Sequence, residues 1–421
     1  MLSDDEIRSA IALLDAPLAA LAKRFPGESG HRQPVHTVYG GAHLFKSDTA
    51  VKLGALAQRA LRDHAPDANT FADAIGLARS IAAIVYARVV EKLKREPVED
   101  FRIDFEDGYG NRPDEEEDGH AASAAREVAT GLRSGTLSPF VGIRIKPFSQ
   151  ELTRRSVRTL DIFLSTLVAE GGRLPPWFVV TLPKIQVVEQ VSALANLFDR
   201  MEPKLGLPSG SLRFEFMIET TQSIPILSQM LDAGRGRVAA AHFGTYDYTA
   251  SCSITAAHQR MDHPACDFAR HSMQVAYSGT GLWLSDGATN VMPIGDRATV
   301  HRAWRLHVDH IRHSLVNGFY QGWDLNPAQL PTRFAAVYAF FLEGLPAATE
   351  RLSNFMQKAG QATLVGDIFD DAATGQGLLN YFLRALNCGA ITEEEALATG
   401  LTLDELRSRS FVKILQGRRG I

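Results

Sequence analysis

The segment from Phe101 to Gly110 reads FRIDFEDGYG. Apolar side chains alternate at positions 101, 103 and 105, which is the pattern of a β-strand. The run ends in Glu106 and Asp107, and a glycine-flanked turn follows. Carboxylates at the end of a strand, just before a turn, are typical of a polar site built on a rigid edge. We therefore expect other strands of this chain to end at the same place.

Seven further apolar runs of similar length occur along the chain, and helical patterns separate most of them. They lie at 35–39, 140–147, 177–182, 213–218, 238–243, 281–284 and 318–323. Alternating strands and helices imply a parallel sheet, and eight such units fit a closed (β/α)8 TIM barrel. An open doubly wound sheet is the alternative, but no Gly-x-Gly-x-x-Gly turn follows the first strand. The sequence therefore predicts an α/β protein with a TIM barrel.

Helical segments flank the predicted barrel on both sides. Ser3 and Glu6 form a capping box that begins a helix, and Pro17 is expected to break or kink it. A long helix is also expected from Phe71 to Glu96, between the first two strands. We predict an N-terminal helical segment over 1–30, a TIM-barrel catalytic domain over 31–345 and a C-terminal helical extension over 346–421.

The composition excludes several classes of protein. With 421 residues, 45% of them apolar, the chain can bury a large core. A net charge of -4 argues against nucleic acid and against a cationic membrane-binding face. The apolar runs are too short to span a bilayer, and the acidic first residues are unlike a secretion signal. The three cysteines lack metal-ligand spacing and are expected to be reduced thiols, so we predict a cytoplasmic enzyme for small molecules.

Polar side chains lie where the predicted strands end, and that end of a TIM barrel holds the active site. In chain order they are Glu106, Asp107, Arg144, Lys184, Glu219, Asp247, Asp286 and Asn326. The set combines carboxylates with an arginine and a lysine. Such a set suits a site that binds an oxyacid together with a hard divalent cation.

The chemistry of these side chains suggests individual roles. Magnesium prefers oxygen ligands and takes only one or two carboxylates, so Glu219 and Asp247, at the ends of adjacent strands, are the predicted metal ligands. Arg144 can offer a planar pair of donors to a carboxylate or a developing enolate. Metal and arginine together would stabilise the enolate that carbon–carbon bond cleavage or formation requires. Lys184, Asp286 and Asn326 are the further predicted substrate-binding residues.

Each of these residues also has a structural explanation. Glu219 could cap the helix that follows it, and Arg144 could be an ion-pair partner inside the barrel. Only the convergence of several strand ends favours a site. The acidic run 114–118 is expected to be a solvated helix start, and His36 and His242 are expected to be core histidines.

Several short segments resemble one family in its own order. They are Ile103–Gly108 (IDFEDG), Val141–Ile145 (VGIRI), Leu182–Lys184 (LPK), Met217–Thr220 (MIET), Gly244–Ala250 (GTYDYTA) and Asp324–Gln329 (DLNPAQ). They are similar to segments of the citrate lyase beta subunit and its relatives. That superfamily includes the HpcH/HpaI aldolases, malyl-CoA lyase and malate synthase. The chain resembles a longer branch, in which Asn326 stands for the histidine of the last segment and Lys146-Pro147 replaces an asparagine.

The resemblance implies a TIM-barrel enzyme that uses Mg²⁺, with Mn²⁺ as the alternative, and that forms a homo-oligomer, a trimer or a hexamer. It implies that Glu219 and Asp247 hold the metal, that Arg144 contacts the substrate or enolate, and that Glu106 and Asp107 shape the site. It also implies an acid–base aspartate after the barrel, from the same or a neighbouring subunit. Asp371 is the candidate, with Asp370 as the alternate.

We therefore expect a Mg²⁺-dependent carbon–carbon lyase, aldolase or Claisen-type condensing enzyme. Its substrate would be a 2-oxo acid or a 3-hydroxyacyl compound, with a coenzyme A ester as one open choice. Two alternatives stay open. One is phosphotransfer on a phosphoenolpyruvate-type substrate, although the chain has no Gly-x-x-x-x-Gly-Lys-Ser/Thr loop. The other is a barrel that binds a metabolite without turnover.

Overall fold

Eight parallel strands close into a barrel in the order of the chain. The computed structural model describes residues 2–357, 363–365, 368–370, 372–410, 413–414 and 417–418. The strands are β1 His36–Gly41, β2 Asp100–Asp104, β3 Phe140–Arg144, β4 Val179–Leu182, β5 Arg213–Ile218, β6 Val238–Phe243, β7 Trp283–Ala288 and β8 Gln321–Asp324. Because β1 pairs with both β2 and β8, the sheet has no open edge. The predicted (β/α)8 barrel is confirmed.

Helices surround the barrel and extend beyond it at both ends of the chain. They are α1 Asp4–Ile11, α2 Asp15–Arg24, α3 Thr49–His64, α4 Ala68–Ile75, α5 Arg79–Arg95, α6 Asp114–Ser134, α7 Thr153–Gly171, α8 Val188–Lys204, α9 Leu227–Ala233, α10 Thr245–Ser251, α11 Pro264–Tyr277, α12 Arg297–Val316, α13 Leu330–Gln357, α14 Ala372–Cys388, α15 Glu393–Leu397 and α16 Leu403–Ser408. A short hairpin, β9 Thr363–Val365 with β10 Ile368–Asp370, precedes α14. The helix α13 continues through the predicted domain boundary at residue 345.

Alternation along β2 sends polar and apolar side chains to opposite faces. Ile103 and Phe105 are fully buried on the apolar face of this run. Arg102 points into the barrel, where its guanidinium donates two hydrogen bonds to Glu215 of β5 at 2.8 and 2.7 Å. Glu215 also accepts from Thr181 of β4 at 2.5 Å. Since these buried charges are paired and hydrogen-bonded, the polar interior is compatible with a stable barrel.

Two helix predictions need adjustment. The helix expected from Phe71 to Glu96 is two helices, because Gly76 adopts a left-handed conformation (φ 68°) that ends α4 before α5 begins. The capping box of Ser3 and Glu6 is present at the start of α1. The predicted helix is interrupted, because a 3₁₀ turn at Ala12–Leu14 separates α1 from α2. Pro17, which has no N–H to donate, lies in the first turn of α2, just after this interruption.

The acidic run 114–118 is less exposed than predicted. It forms the first turn of α6, in agreement with the predicted helix start. Glu117 is fully buried, and its carboxylate contacts the ammonium of Lys146 at 2.8 Å. Thr159 donates a second bond to Glu117 at 2.5 Å. The expectation of a fully solvated face is therefore wrong for Glu117, because α7 and the end of β3 pack over it.

Other expectations of the sequence analysis agree with the structure. His36 and His242 are fully buried, and each ring lies beside a carboxylate, Asp324 at 3.1 Å and Glu215 at 3.2 Å. All three cysteines are unpaired. Within the part of the chain that the structure describes, no helix combines the length and apolar character that a membrane crossing requires.

Candidate active site

Arg144 is fixed at the end of β3 by a carboxylate from the neighbouring strand. Its Nε and Nη2 donate to the two oxygens of Asp104 at 2.7 and 2.6 Å, a planar two-bond contact. Asp104 is buried and also accepts the backbone N–H groups of Glu106 and Gly108, at 2.9 and 2.7 Å. The remaining guanidinium nitrogen, Nη1, lies 3.0 Å from Glu106 and therefore faces the strand ends.

Lys184 joins the ends of β2, β4 and β6. Its ammonium contacts Glu106, lies 3.2 Å from Asp107 and 3.7 Å from Asp247 in the first turn of α10. Its backbone N–H donates to Glu219 at 2.8 Å. Lys184 has a positive φ of 51°, unusual for a residue with a side chain. This left-handed turn lets one residue contact carboxylates from several strands through both its backbone and its side chain.

The structure thus brings together six of the predicted residues at the C-terminal ends of β2 to β6, linked by direct contacts through Arg144 and Lys184. They are Glu106, Asp107, Arg144, Lys184, Glu219 and Asp247. Glu106, Arg144 and Glu219 are buried, Asp107 is exposed, and Asp247 is half-buried with 44% of its side chain accessible. The buried members of the cluster are charged side chains, and carboxylates that solvent can reach lie beside them at the C-terminal end of the barrel.

Burial changes the protonation of the inner carboxyl groups. Desolvation raises the pKa of Glu219 to about 8; Lys184 opposes this shift, and the carboxylates of Asp247 and Glu106 add to it. Desolvation also raises the pKa of Glu106 to about 6, against the opposing charge of Arg144. The pKa of Lys184 lies above its usual range, because Glu219 and Glu106 outweigh the effect of burial. The site therefore holds more carboxylates than the cations of this chain neutralise.

The donor set fits a hard divalent cation. Glu219 and Asp247 supply carboxylate oxygens, which Mg²⁺ and Mn²⁺ prefer. In the described part of the chain, no three His, Cys, Asp or Glu side chains form a metal cage. Mg²⁺ usually takes one or two carboxylates and completes its shell with water and substrate oxygens.

An aromatic pair, which the sequence analysis missed, lines the barrel next to Arg144. Tyr39 of β1 and Trp323 of β8 are half-buried, and their ring centroids are 4.5 Å apart. The Arg144 guanidinium lies over the Tyr39 ring at 4.9 Å. Trp323 donates to His242 at 3.3 Å. The register that pairs Tyr39 with the inward-pointing Arg102 places Tyr39 on the inner face of the barrel, and this register is known only from the structure.

Asp286, a predicted substrate ligand, lies away from this cluster. It is fully buried, accepts from Arg270 of α11 at 3.0 Å, and accepts from Ser314 of α12 at 2.6 Å. Alternation along β7 directs Trp283 into the barrel and therefore Asp286 toward the helices. The structure corrects the expectation for Asp286, which joins strand to helices and is removed from the candidate site.

Two further candidates stand apart from the cluster or outside the described residues. Asn326 caps the 3₁₀ turn Pro327–Gln329, and its side-chain oxygen accepts the Ala328 N–H at 2.9 Å. This contact engages the amide oxygen of Asn326, so substrate binding by its amide nitrogen stays a prediction. Asp371 lies outside the described residues, and the side chain of Asp370 is not described either.

Gly244 controls the space beside Glu219. A Cβ atom at this position would come 2.6 Å from both Cβ and Oε2 of Glu219. We expect Gly244→Ala to displace the Glu219 carboxylate, lowering Mg²⁺ affinity by about tenfold or more and stability by about 1–3 kcal/mol. Calorimetric titration and thermal melts would measure both. Gly119→Ala in α6 is the control, because its Cβ meets no atom within 4 Å. Unchanged Mg²⁺ affinity in Gly244→Ala would contradict the expectation.

Comparison with known proteins places the chain in a family. Residues 14–414 match the family described as "Domain of unknown function (DUF6986)", and the chain belongs to it. A search of curated protein sequences found no match.

Solved structures show the same fold at low sequence identity. A citrate lyase from Burkholderia xenovorans LB400 is 18% identical with a TM-score of 0.59, covering 88% of this chain and 97% of that one. The native malate synthase of Haloferax volcanii is 13% identical with a TM-score of 0.51, covering 91% and 99%. Its magnesium–glyoxylate complex is 14% identical with a TM-score of 0.50, covering 90% and 98%. At these identities the likeness shows the fold alone.

Proposed function

We propose that this member of the DUF6986 family is a Mg²⁺-dependent carbon–carbon lyase, aldolase or condensing enzyme that acts through an enolate. Its substrate is a 2-oxo acid or a 3-hydroxyacyl compound. The observation that supports this most is the contact network of Arg144 and Lys184 with four carboxylates at the ends of the strands. The fold of a malate synthase seen with magnesium and glyoxylate, itself a 2-oxo acid, supports the substrate class.

Glu219 and Asp247 would hold the metal ion. They follow adjacent strands, and the Asp247 carboxylate is accessible enough to bind a metal ion from solvent. When bound there, Mg²⁺ supplies Lewis-acid stabilisation of negative charge on substrate oxygens. Lys184 keeps the neighbouring carboxylates Glu106 and Asp107 compensated, so that the repulsion on an anionic substrate is reduced.

Arg144 would stabilise the enolate. Asp104 holds its Nε and Nη2, which leaves Nη1 as the atom directed toward the strand ends. Breaking a carbon–carbon bond beside a carbonyl leaves its electron pair on the enolate, whose oxygen accepts a hydrogen bond from Nη1. The donor is already held rigidly, so little reorganisation is needed as charge develops. Tyr39 and Trp323 would form the apolar wall against which the substrate carbons pack.

A proton must then return to the enolate carbon. Glu106 is a described candidate for the acid, since its pKa of about 6 lets it exchange a proton near neutral pH. Asp371 remains the alternative from the sequence. Reaction in deuterated water distinguishes these two candidate acids. The Glu106→Gln and Asp371→Asn variants are compared by the rate at which deuterium enters the product. The variant that lacks the acid should still form the enolate but should incorporate deuterium slowly.

We expect Mg²⁺ affinity to depend on pH because of Glu219. With its pKa near 8, this carboxyl is mostly protonated at neutral pH in the metal-free protein, and metal binding must release that proton. Affinity should rise about tenfold per pH unit below pH 8 and become constant above it. Calorimetry at two pH values below 8 and one above, in buffers of different ionisation enthalpy, measures affinity and proton release. Equal affinity at all three would contradict the assignment.

The function itself is tested by a substrate screen. The purified chain is incubated with 2-hydroxy-2-methyl and 4-hydroxy-2-oxo acids and with acyl-CoA esters plus 2-oxo acids, each with Mg²⁺ or with a chelator. The proposal expects Mg²⁺-dependent cleavage or condensation for at least one substrate, lost in Arg144→Met and retained in Asp309→Ala, an exposed carboxylate on α12. Saturable binding of 2-oxo acids without turnover would instead support the metabolite-binding alternative.

A further inference from the structure

The first helices of the chain form an arm, residues 4–24, that leaves the barrel with all its residues accessible. None of the residues of α1, α2 or the 3₁₀ turn between them is buried. The base of the arm is attached to the barrel: Arg24 contacts Asp232 of α9, and the Gly27 N–H donates to Gly279 at 2.8 Å. At about 1.5 Å per residue the arm is about 30 Å long.

Five apolar residues recur at regular spacing along α1, the 3₁₀ turn and α2, and we call this row the seam. Ile7, Ile11, Leu14, Leu18 and Leu21 are 42%, 51%, 44%, 54% and 54% exposed. Their spacing alternates between four and three residues, which is the heptad repeat of helices that pack against other helices. A surface helix that packs on its own barrel would bury such a face instead. The seam therefore indicates a partner that is itself a helix with the same repeat.

The charges of the arm are separated between its two ends. Asp4, Asp5 and Glu6 lie in the first turn, where Arg8 pairs with Asp5 and offsets one charge, and Asp15 lies in the middle of the arm. Lys23 and Arg24 lie in the last turn, so the first end is net acidic and the last end is basic. When two such arms lie antiparallel, the acidic end of each is next to the basic end of the other, and their helix dipoles also oppose. A parallel pair would place like charges together. The arm of a second copy therefore matches this arm in both apolar spacing and charge.

We propose that two copies of this chain associate through their arms, packed antiparallel along the seam from Ile7 to Leu21. The contact is isologous, so each arm offers the same surface and a two-fold axis relates the copies. The seam is only two heptads long, but the attachment at Arg24 and Gly27 restricts the directions that the arm can take, which reduces the entropy lost on pairing. The assembly then contains an even number of chains.

Seam and off-seam variants of the full-length chain test this contact. The mass of the wild type in solution should be an even multiple of 46.0 kDa. Leu14→Asp with Leu18→Asp should lower it twofold, whereas Leu13→Asp should leave it unchanged, because Leu13 is 72% exposed and lies off the seam. Light scattering over a concentration series measures the mass, and circular dichroism checks that the arm remains helical. An unchanged mass in the double variant, or an equal loss in Leu13→Asp, would overturn the proposal.

Charge variants test the orientation and the identity of the partner surface. Asp4→Lys with Asp5→Lys should weaken association, because the first turn becomes positive opposite the basic last turn of the other arm. Adding Lys23→Glu should partly restore association, because the last turn then loses its net positive charge. Failure of the triple variant to recover would overturn the antiparallel arrangement. Phe268→Glu with Val275→Glu alters a second exposed apolar face, on α11, where these residues are 62% and 87% exposed. Dissociation caused by that pair, and not by the seam variant, would mean that α11 and not the arm is the contact.

Discussion

Glu219→Gln is expected to lower Mg²⁺ affinity by more than about 100-fold and to remove Mg²⁺-dependent turnover, while the barrel remains folded. The variant removes a negative charge and keeps the shape and the hydrogen bond that Glu219 accepts from Lys184 at 2.8 Å. Loss of groups that merely orient metal ligands costs about 10- to 100-fold in affinity, so loss of a ligand should exceed that range. Isothermal calorimetry with MgCl₂ and MnCl₂ measures the change.

The same variant should be more stable than the wild type at alkaline pH when no metal is present. The pKa of Glu219 in the folded protein, about 8, lies above its ordinary 4.5, so the folded state binds the proton more tightly than the unfolded state. Ionisation therefore lowers the stability of the wild type as pH rises from 4.5 toward 8. The glutamine side chain has no proton to lose, so the melting temperature of the Glu219→Gln variant should not fall over this pH range because of residue 219.

Asp247→Asn and Asp309→Ala complete the comparison. Asp247→Asn should also weaken Mg²⁺ binding, with little effect on stability, because its side chain is 44% exposed. Asp309→Ala removes an exposed carboxylate on α12 and should bind Mg²⁺ as the wild type does. Wild-type affinity in both Glu219→Gln and Asp247→Asn would reject these residues as the metal site.

Arg144→Met is expected to lower kcat by about 10²- to 10³-fold and the free energy of unfolding by about 3–5 kcal/mol. Both effects have one origin. The guanidinium is the proposed donor to the enolate, and it is also the charge that compensates Asp104, which is 1% exposed. Without it, the Asp104 carboxylate remains buried with no cation to pair with. Chemical denaturation and steady-state kinetics measure the two losses.

A second substitution separates the structural effect from the catalytic one. Asp104→Asn in the Arg144→Met background removes the uncompensated charge and should recover most of the stability, but not kcat. If the double variant recovers activity together with stability, Arg144 acts only as an ion-pair partner inside the barrel. Arg144→Lys is a further check: it keeps the charge but cannot make the two-bond contact with Asp104, and we expect partial stability with low activity.

Much of the site could be predicted because parallel strands of a closed barrel end on the same side. Arg144 ends its strand, and Glu106, Lys184, Glu219 and Asp247 follow theirs closely, so the order of the chain already places them at one end of the barrel. The side on which a residue lies also depends on the two-residue alternation of its strand. That alternation, which the sequence analysis did not apply to β7, sends Asp286 toward α11 and α12.

Local pattern and chain order were enough to predict the α/β class and the eight strands. They also predict that the charged candidate residues lie at the C-terminal ends of those strands. Which side chains touch depends on contacts that form only in the folded barrel. Asp104 clamps Arg144 across two strands, Tyr39 and Trp323 meet where β1 and β8 close the barrel, and Glu117 is buried by a neighbouring helix. These contacts join residues distant in the chain, and their register and burial arise only once the barrel closes.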